Sequence, residues 1–242
     1  MNVRLGDLEI GTDPRVVGTI SSLPALIGFR RTPEPLCDIA EVRLDQMLRA
    51  DDWLGRSKAI EAQGLPVIFT LRLAAEGGGW RRPDEERAGH YTLALEHLAA
   101  IDVELQSKLL PKLAHLARAN RKALIASLHD FTKTPARGAL QDRILEASRQ
   151  ASIVKIATMI TKPDDIATLR GLLEEDWGVP LCVLGMGPQA LPTRTLFPRQ
   201  GSCLTYGYLD APAAPSQPAA AELCRQLRVN PDSASRTRRS PG

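Results

Sequence analysis

Short apolar segments alternate along the chain with longer segments in which apolar residues recur at helical spacing. The apolar segments are rich in β-branched residues, a pattern that predicts buried strands. We expect eight such strands, each followed by a helical or weakly helical segment, at residues 16–21, 39–45, 66–73, 101–105, 122–131, 152–160, 180–186 and 202–209. Strands that alternate with helices predict a parallel sheet covered by helices.

Eight strand–helix units within 242 residues match the size of a closed (β/α)8 barrel, the TIM barrel of the α/β class. A doubly wound open sheet is the alternative, but no GxGxxG or GxxxxGK[ST] motif follows any strand. The sequence EGGG at 76–79 is interpreted as a flexible glycine run. We predict a single barrel domain over residues 1–228 and a disordered tail, rich in Ser, Arg and Pro, over residues 229–242.

The composition and charge of the chain argue against several classes of function. Hydrophobic residues make up 43% and charged residues 24% of the chain, which is typical of a globular protein with a proper core. The net charge of +3 is too small and too dispersed to indicate a nucleic-acid partner. No apolar stretch suits a membrane span or a signal peptide, so we expect no membrane partner and a cytoplasmic location. Cys182 and Cys203 lie in apolar segments and are expected in the core.

One lysine, Lys155, lies in the middle of the apolar segment 152–160. An unpaired ammonium in a low-dielectric interior costs several kcal/mol or loses its proton. Lys155 could lie near a strand end and extend to water. Alternatively, it could be a partly neutral amine that attacks a carbonyl group and forms a Schiff base. This segment alone leaves both interpretations open.

Other polar residues occur where the barrel strands end, the place at which (β/α)8 enzymes carry their functional groups. Those singled out are Glu41, Arg43 and Asp45, which alternate on the second strand, Arg72 and Glu76, His129 and Asp130, Lys155, Arg194 and Gln217. Each alone could be structural. Together, arginines near a lysine favour its neutral form and suit a carboxylate substrate. A histidine beside a Schiff-base lysine suits proton abstraction. The set predicts an imine-forming lyase or aldolase that acts on a small carboxylated keto compound.

Six motifs in order along the chain resemble those of the type I 3-dehydroquinate dehydratases. They are EVRLD (41–45), FTLRLAAEGG (69–78), SLHDF (127–131), VKIA (154–157), MGPQALPTR (186–194) and GSCLTYGYLDAPAAPSQ (201–217). The resemblance implies a (β/α)8 barrel that dehydrates 3-dehydroquinate to 3-dehydroshikimate, the third step of the shikimate pathway and part of aromatic amino acid biosynthesis. It also implies a homodimer that uses no metal and no cofactor.

The same resemblance implies roles for individual residues. Lys155 would form an imine with the substrate's C3 ketone, and His129 would remove the C2 proton and later protonate the leaving C1 hydroxyl. Glu76 would orient His129. The substrate-binding residues would be Arg194 and Gln217 at the carboxylate, Glu41, Arg43 and Arg72 at the ring hydroxyls, and Met186 and Tyr206 in the pocket wall.

The chain departs from the family motifs at five positions: Val42, Ala190, Thr193, Ala213 and Ser216. Ala213 replaces a loop serine and Ser216 replaces a loop glycine, so we expect altered lid closure and a weaker enzyme. Two alternatives stay open. One is another Schiff-base barrel enzyme, aldolase-like, on a related hydroxylated keto acid. The other is a non-catalytic barrel that binds a metabolite or a protein partner.

Overall fold

The computed structural model describes residues 3–47, 50–212 and 217–228. It begins with an antiparallel hairpin of two short strands, β1 (Val3–Leu5) and β2 (Leu8–Ile10). The sequence patterns did not predict this hairpin. Leu5 and Ile10 are buried in the same apolar cluster as the first residues of the barrel strands, so the hairpin covers the amino-terminal end of the barrel.

Eight parallel strands follow, and each lies within or beside a segment predicted from the apolar pattern. They are β3 (Arg15–Ile20), β4 (Ile39–Arg43), β5 (Val67–Thr70), β6 (Ala100–Glu104), β7 (Ala123–Asp130), β8 (Ile153–Met159), β9 (Leu181–Met186) and β10 (Leu204–Tyr208). The order in the sheet is β10-β3-β4-β5-β6-β7-β8-β9. The edge strands meet where the backbone N–H of Cys203 donates to the carbonyl of Leu181 at 2.9 Å. The predicted (β/α)8 barrel is confirmed, and the open doubly wound sheet is wrong.

Helices connect the strands and cover the outside of the barrel. They are α1 (Leu23–Gly28), α2 (Trp53–Glu61), α3 (Asp84–His97), α4 (Leu110–Ala119), α5 (Arg137–Ser148), α6 (Pro163–Leu172), α7 (Thr193–Leu196) and α8 (Ala220–Arg228). The segment after β9 forms only the short helix α7, in agreement with its weak helical pattern. Among the helices that the structure describes, none is long and apolar enough to cross a lipid bilayer.

Alternation along each strand separates two apolar layers. On β8, Ile153 and Ala157 belong to the cluster inside the barrel, whereas Val154 and Ile156 pack between the barrel and its helices. Side chains two residues apart share a face, so Lys155 points into the barrel. The same alternation directs the polar residues of the other strands inward, above an apolar layer at the strands' amino-terminal ends.

The cysteines are all free and buried, so the predicted core positions of Cys182 and Cys203 are confirmed. Three sequence-based predictions lie outside the described residues: the tail over residues 229–242 and the lid substitutions at Ala213 and Ser216.

Candidate active site

A cavity at the carboxyl ends of the barrel strands brings the predicted site residues together. The space between the lining residues, including solvent at the open mouth, is about 590 Å³. All ten residues to which the resemblance gives a catalytic or binding role lie in its lining, whereas Asp45 and Asp130 do not. The ten are Glu41, Arg43, Arg72, Glu76, His129, Lys155, Met186, Arg194, Tyr206 and Gln217. Thr19, Gly77, Phe131, Ala157 and Leu184 complete the lining. The structure thus brings these side chains together in one cavity, and the role of each residue in binding or catalysis stays a prediction.

Lys155 is buried at the floor of this cavity, with 4% of its surface exposed. The interpretation of a lysine that extends to water is therefore wrong. Its Nζ lies 3.0 Å from Oδ2 of Asp102. It also lies 3.9 Å from the ring centroid of Tyr206, a cation–π distance. The lysine thus sits between a carboxylate and an aromatic face.

Asp102 was not predicted from the sequence. It is fully buried on β6, where its Oδ1 accepts hydrogen bonds from Arg72 Nη2 at 2.7 Å and Ser127 Oγ at 2.6 Å. Burial alone would raise the pKa of Asp102, but Arg72 and Lys155 hold that pKa far below its usual range. The alternation of Asp102 and Glu104 within an apolar strand is the signal that could have marked it.

Acidic side chains also offset the positive charge of arginines close to the lysine. Arg72 Nη1 lies 3.2 Å from Oε1 of Glu104, and the buried Arg87 lies 2.7 Å from Oε2 of the same residue. Asp102 and Glu104 hold the pKa of Arg72 well above its usual value, against the effect of burial. Arg72 and Arg87 therefore belong to a buried ionic network, in which acidic side chains offset their positive charge.

His129 and Glu76 form a hydrogen-bonded pair at the cavity wall. Oε2 of Glu76 lies 3.0 Å from Nδ1 of His129 and accepts the backbone N–H of His129, also at 3.0 Å. A carboxylate oxygen in this position fits the tautomer in which Nδ1–H donates, so that Nε2 keeps its lone pair. Ala157 is opposite His129 in the sheet register, and its small side chain leaves space beside the ring.

Burial shifts the pKa values of His129 and Glu76 in opposite directions. The pKa of His129 is lowered well below its usual value, first by burial and then by the positive charges of Arg72 and Lys155. Burial raises the pKa of Glu76 to about 7, although Arg72 opposes the shift. At neutral pH the imidazole is therefore neutral and able to accept a proton.

The glycines after Glu76 form a tight turn, so the interpretation of EGGG as a flexible run is wrong. Gly77 has a φ of 76°, in the left-handed region. A Cβ on Gly78 would lie 2.1 Å from the carbonyl oxygen of Arg72, and one on Gly79 would lie 2.3 Å from that of Asp45. These close approaches hold the loop against the strand ends and thereby place Glu76.

Glu41 and Arg43 form the part of the wall contributed by β4. The carboxylate of Glu41 accepts hydrogen bonds from Thr19 Oγ1 at 3.0 Å and Thr70 Oγ1 at 2.9 Å. Arg43 forms two contacts of 2.9 Å with Asp45. Asp45 itself lies in a short 3-10 turn after β4, not on the strand where the alternation placed it.

Arg194 supplies positive charge at the opposite side. It is buried, and burial lowers the pKa of its guanidinium to about 10. The hydroxyl of Thr205 on β10 donates to the backbone carbonyl of Arg194 at 2.9 Å, which fixes the start of α7 against the barrel. Within residues 3–47, 50–212 and 217–228, no carboxylate forms an ion pair with Arg194. A buried guanidinium that lacks a carboxylate partner among the described residues is suited to bind an anionic ligand.

Tyr206 adds a polar group to the same region. Its hydroxyl is buried and has no hydrogen-bond partner among the described residues. An unpaired buried hydroxyl is costly, which indicates a group that is satisfied when a ligand is bound. The described residues contain no group of three His, Cys, Asp or Glu side chains placed to hold a metal ion.

The fold and this cavity define an enzyme of the (β/α)8-barrel class, with a buried lysine and a histidine–glutamate pair at the carboxyl ends of its strands. A family model described as type I 3-dehydroquinase matches residues 26–232. The chain belongs to this family, whose members are hydro-lyases that dehydrate 3-dehydroquinate.

Individual relatives agree with this assignment. The chain is 36% identical to a 3-dehydroquinate dehydratase of Methanothrix thermoacetophila over 93% of this chain and 95% of the relative. It is 33% identical to the Methanosarcina mazei protein of the same name, over 88% and 93% of the two chains. Among solved structures, the Enterococcus faecalis 3-dehydroquinate dehydratase superposes with a TM-score of 0.78 at 25% identity, covering 93% of this chain and 98% of that one.

Proposed function

We propose that this enzyme converts 3-dehydroquinate to 3-dehydroshikimate through a Schiff base on Lys155. The observation that carries the proposal is the burial of Lys155 in one cavity with a neutral His129 and with Arg194, whose guanidinium has no carboxylate partner among the described residues. A nucleophile, a base and an anion site within one small cavity are the parts that imine-based elimination needs.

The first step joins the substrate to the enzyme. The neutral amine of Lys155, having given its extra proton to water, uses its lone pair to attack the C3 carbonyl carbon. The carbonyl oxygen takes up a proton, and the carbinolamine loses water to form an iminium. The iminium nitrogen then draws electrons from the adjacent C2–H bond, which makes this proton removable.

The second step uses the histidine–glutamate pair. Nε2 of His129 takes the C2 proton, and the electrons of that bond form an enamine. The enamine then expels the C1 hydroxyl, which leaves as water with the proton held on His129. Hydrolysis of the conjugated iminium releases 3-dehydroshikimate and restores Lys155, so the net reaction is loss of one water. Glu76 holds the His129 ring through its hydrogen bond to Nδ1.

Substrate recognition is assigned by charge. Arg194 and Gln217 bind the carboxylate, since a guanidinium pairs with a carboxylate through two parallel hydrogen bonds. Glu41, Arg43 and Arg72 bind the ring hydroxyls and shape the field around Lys155. Met186 and Tyr206 form the wall beside the ring.

The wider setting is proposed from the family resemblance. The reaction would be the third step of the shikimate pathway, carried out by a cytoplasmic homodimer without metal or cofactor. Residues 1–228 would form the catalytic domain, with residues 229–242 as a tail.

A direct assay tests the activity. Native enzyme is mixed with 3-dehydroquinate, and the conjugated enone of the product is followed by its absorbance. The proposal expects turnover by the native protein, loss of turnover in Lys155→Met, and native turnover in Lys112→Met, an exposed lysine on α4. Absence of enone formation by the native protein contradicts the proposal and favours the aldolase-like or non-catalytic alternatives.

A further inference from the structure

Asp102 contacts the reacting nitrogen without lining the cavity. Its Oδ2 lies 3.0 Å from Nζ of Lys155, yet Asp102 is fully buried and is absent from the cavity lining. It therefore does not touch the substrate, and any role in the reaction must act through Lys155.

The carboxylate of Asp102 is fixed by its other oxygen. Arg72 Nη2 and Ser127 Oγ donate to Oδ1 at 2.7 Å and 2.6 Å. Arg72 is held in turn by Glu104. Two short hydrogen bonds on Oδ1 orient Oδ2 towards Lys155 and prevent the carboxylate from turning away.

Asp102 also keeps its charge. Although burial acts in the opposite direction, the positive charges of Arg72 and Lys155 hold its pKa far below the usual range. A carboxylate whose pKa is held this low is a weak base, because its charged form is favoured. Asp102 is thus not the general base, a role that the geometry leaves to His129.

We propose that Asp102 is a positioning residue that serves as the fixed counter-ion of the Lys155 nitrogen, both as ammonium and as iminium. The inference rests on the Schiff base at Lys155 proposed above. An iminium formed by a lysine carries one N–H, which lies in the plane of the C=N bond. If that N–H donates to Oδ2 of Asp102, the plane of the iminium is fixed, and with it the direction of the C2–H bond relative to His129.

Several other groups face the lysine from the strands packed around it. They are His129 on β7, Cys182 on β9, Tyr206 on β10 and Arg72 after β5, with Glu41, Arg43, Glu76 and Arg194 in the lining of the same cavity. Asp102 is the carboxylate in ion-pair contact with Lys155 among the described residues. Its neutralisation leaves the nitrogen facing cationic neighbours without its counter-ion, which disfavours the charged iminium.

The pH dependence of borohydride trapping tests this role. The native protein, Asp102→Asn and Glu104→Gln are each incubated with an equilibrated mixture of 3-dehydroquinate and 3-dehydroshikimate, pulsed with borohydride across a pH series, and measured by mass spectrometry. Glu104→Gln is the matched control, because it neutralises a buried acid of the same network that does not contact Lys155.

We expect the trapping profile of Asp102→Asn to move to lower pH by about one to three pH units, the usual effect of one adjacent opposite charge. The adduct formed at pH 7 should fall at least about tenfold, the equilibrium change that 1.4 kcal/mol produces. Glu104→Gln should keep the native profile within about half a pH unit, because Glu104 pairs with Arg72 and Arg87 rather than Lys155 and Coulomb attraction weakens with distance. A loss of packing alone would lower the yield without moving the profile.

The outcomes separate the two proposals. If native protein forms no adduct on Lys155, the Schiff-base mechanism falls and the role of Asp102 falls with it. If native protein is trapped but Asp102→Asn keeps the native profile, or Glu104→Gln shifts equally, only the role of Asp102 is overturned. Should Asp102→Asn show no cooperative melting, a crystal structure of the native adduct decides. The inference expects Nζ to stay within about 3.2 Å of Oδ2, and a separation beyond hydrogen-bond reach overturns it.

Discussion

Oε2 of Glu76 lies 3.0 Å from two nitrogen atoms of His129, the ring Nδ1 and the backbone N. One oxygen atom therefore fixes both the orientation of the imidazole and its tautomer. The tight glycine turn after Glu76 holds the carboxylate in place, so the ring is positioned by backbone geometry as well as by charge. This arrangement and the cavity around it lead to five predictions.

The acid limb of the pH–rate profile should report Glu76. Since burial raises the pKa of Glu76 to about 7, its carboxylate is protonated in the free enzyme as pH falls below this value and no longer accepts from Nδ1–H. We expect kcat/KM to rise with pH through about 7. The pKa of His129 is lowered, so this group contributes only at more acidic pH. In Glu76→Gln the limb near pH 7 should disappear, and its persistence would assign it to another group.

His129→Ala should separate binding from chemistry. The lysine is intact in this variant, so borohydride should still trap an adduct on Lys155. Turnover should fall by roughly two to four orders of magnitude, the usual share of general acid–base catalysis. The control is His115→Ala, an exposed histidine on α4, which should retain native turnover. Near-native turnover of His129→Ala would place the base elsewhere.

Arg194→Gln should weaken substrate capture. It removes a buried guanidinium that has no carboxylate partner among the described residues. A hydrogen bond to a charged group is worth about 1.5–3 kcal/mol, so KM should rise by roughly tenfold to a hundredfold. Steady-state kinetics should show a smaller change in kcat. Arg199→Gln, at an exposed position outside the cavity lining, is the control. An unchanged KM in Arg194→Gln would remove the assignment of the carboxylate site.

Tyr206→Phe should stabilise the free enzyme while weakening substrate binding. The buried hydroxyl has no partner among the described residues, so its removal relieves about 1–3 kcal/mol of desolvation cost. If the hydroxyl bonds the substrate, KM should rise by a factor of about two to twelve, the equivalent of one neutral hydrogen bond. Thermal melting and steady-state kinetics measure the two effects, with Tyr208→Phe as control. A lower melting temperature with an unchanged KM contradicts this account.

The strand pattern and the polar residues within it could be found from the sequence, because both depend on local alternation. Lys155 and His129 stand out since each interrupts an apolar strand at an inward position. Asp102 follows the same rule on β6, but its importance depends on Lys155, two strands away on β8. That contact exists only once β6, β7 and β8 have assembled into the sheet.

The amino-terminal hairpin and the glycine turn were misjudged for a related reason. Strands of three residues have too little alternation to be recognised, and this hairpin is stabilised by burying Leu5 and Ile10 against the barrel. A glycine run predicts flexibility when considered alone. Here the glycines are required because their backbone lies close to that of other residues. Gly78 approaches the backbone of Arg72, and Gly79 approaches the backbone of Asp45, which is distant in sequence.

The most direct test of the Schiff-base mechanism is to locate the borohydride adduct. Native protein is treated with borohydride in the presence of 3-dehydroquinate, digested, and mapped by tandem mass spectrometry. The account predicts loss of activity and one stable adduct on Lys155, the buried lysine 3.0 Å from Asp102, with no adduct when ligand is omitted. An adduct on a different lysine, or full activity after treatment with both reagents, would contradict it.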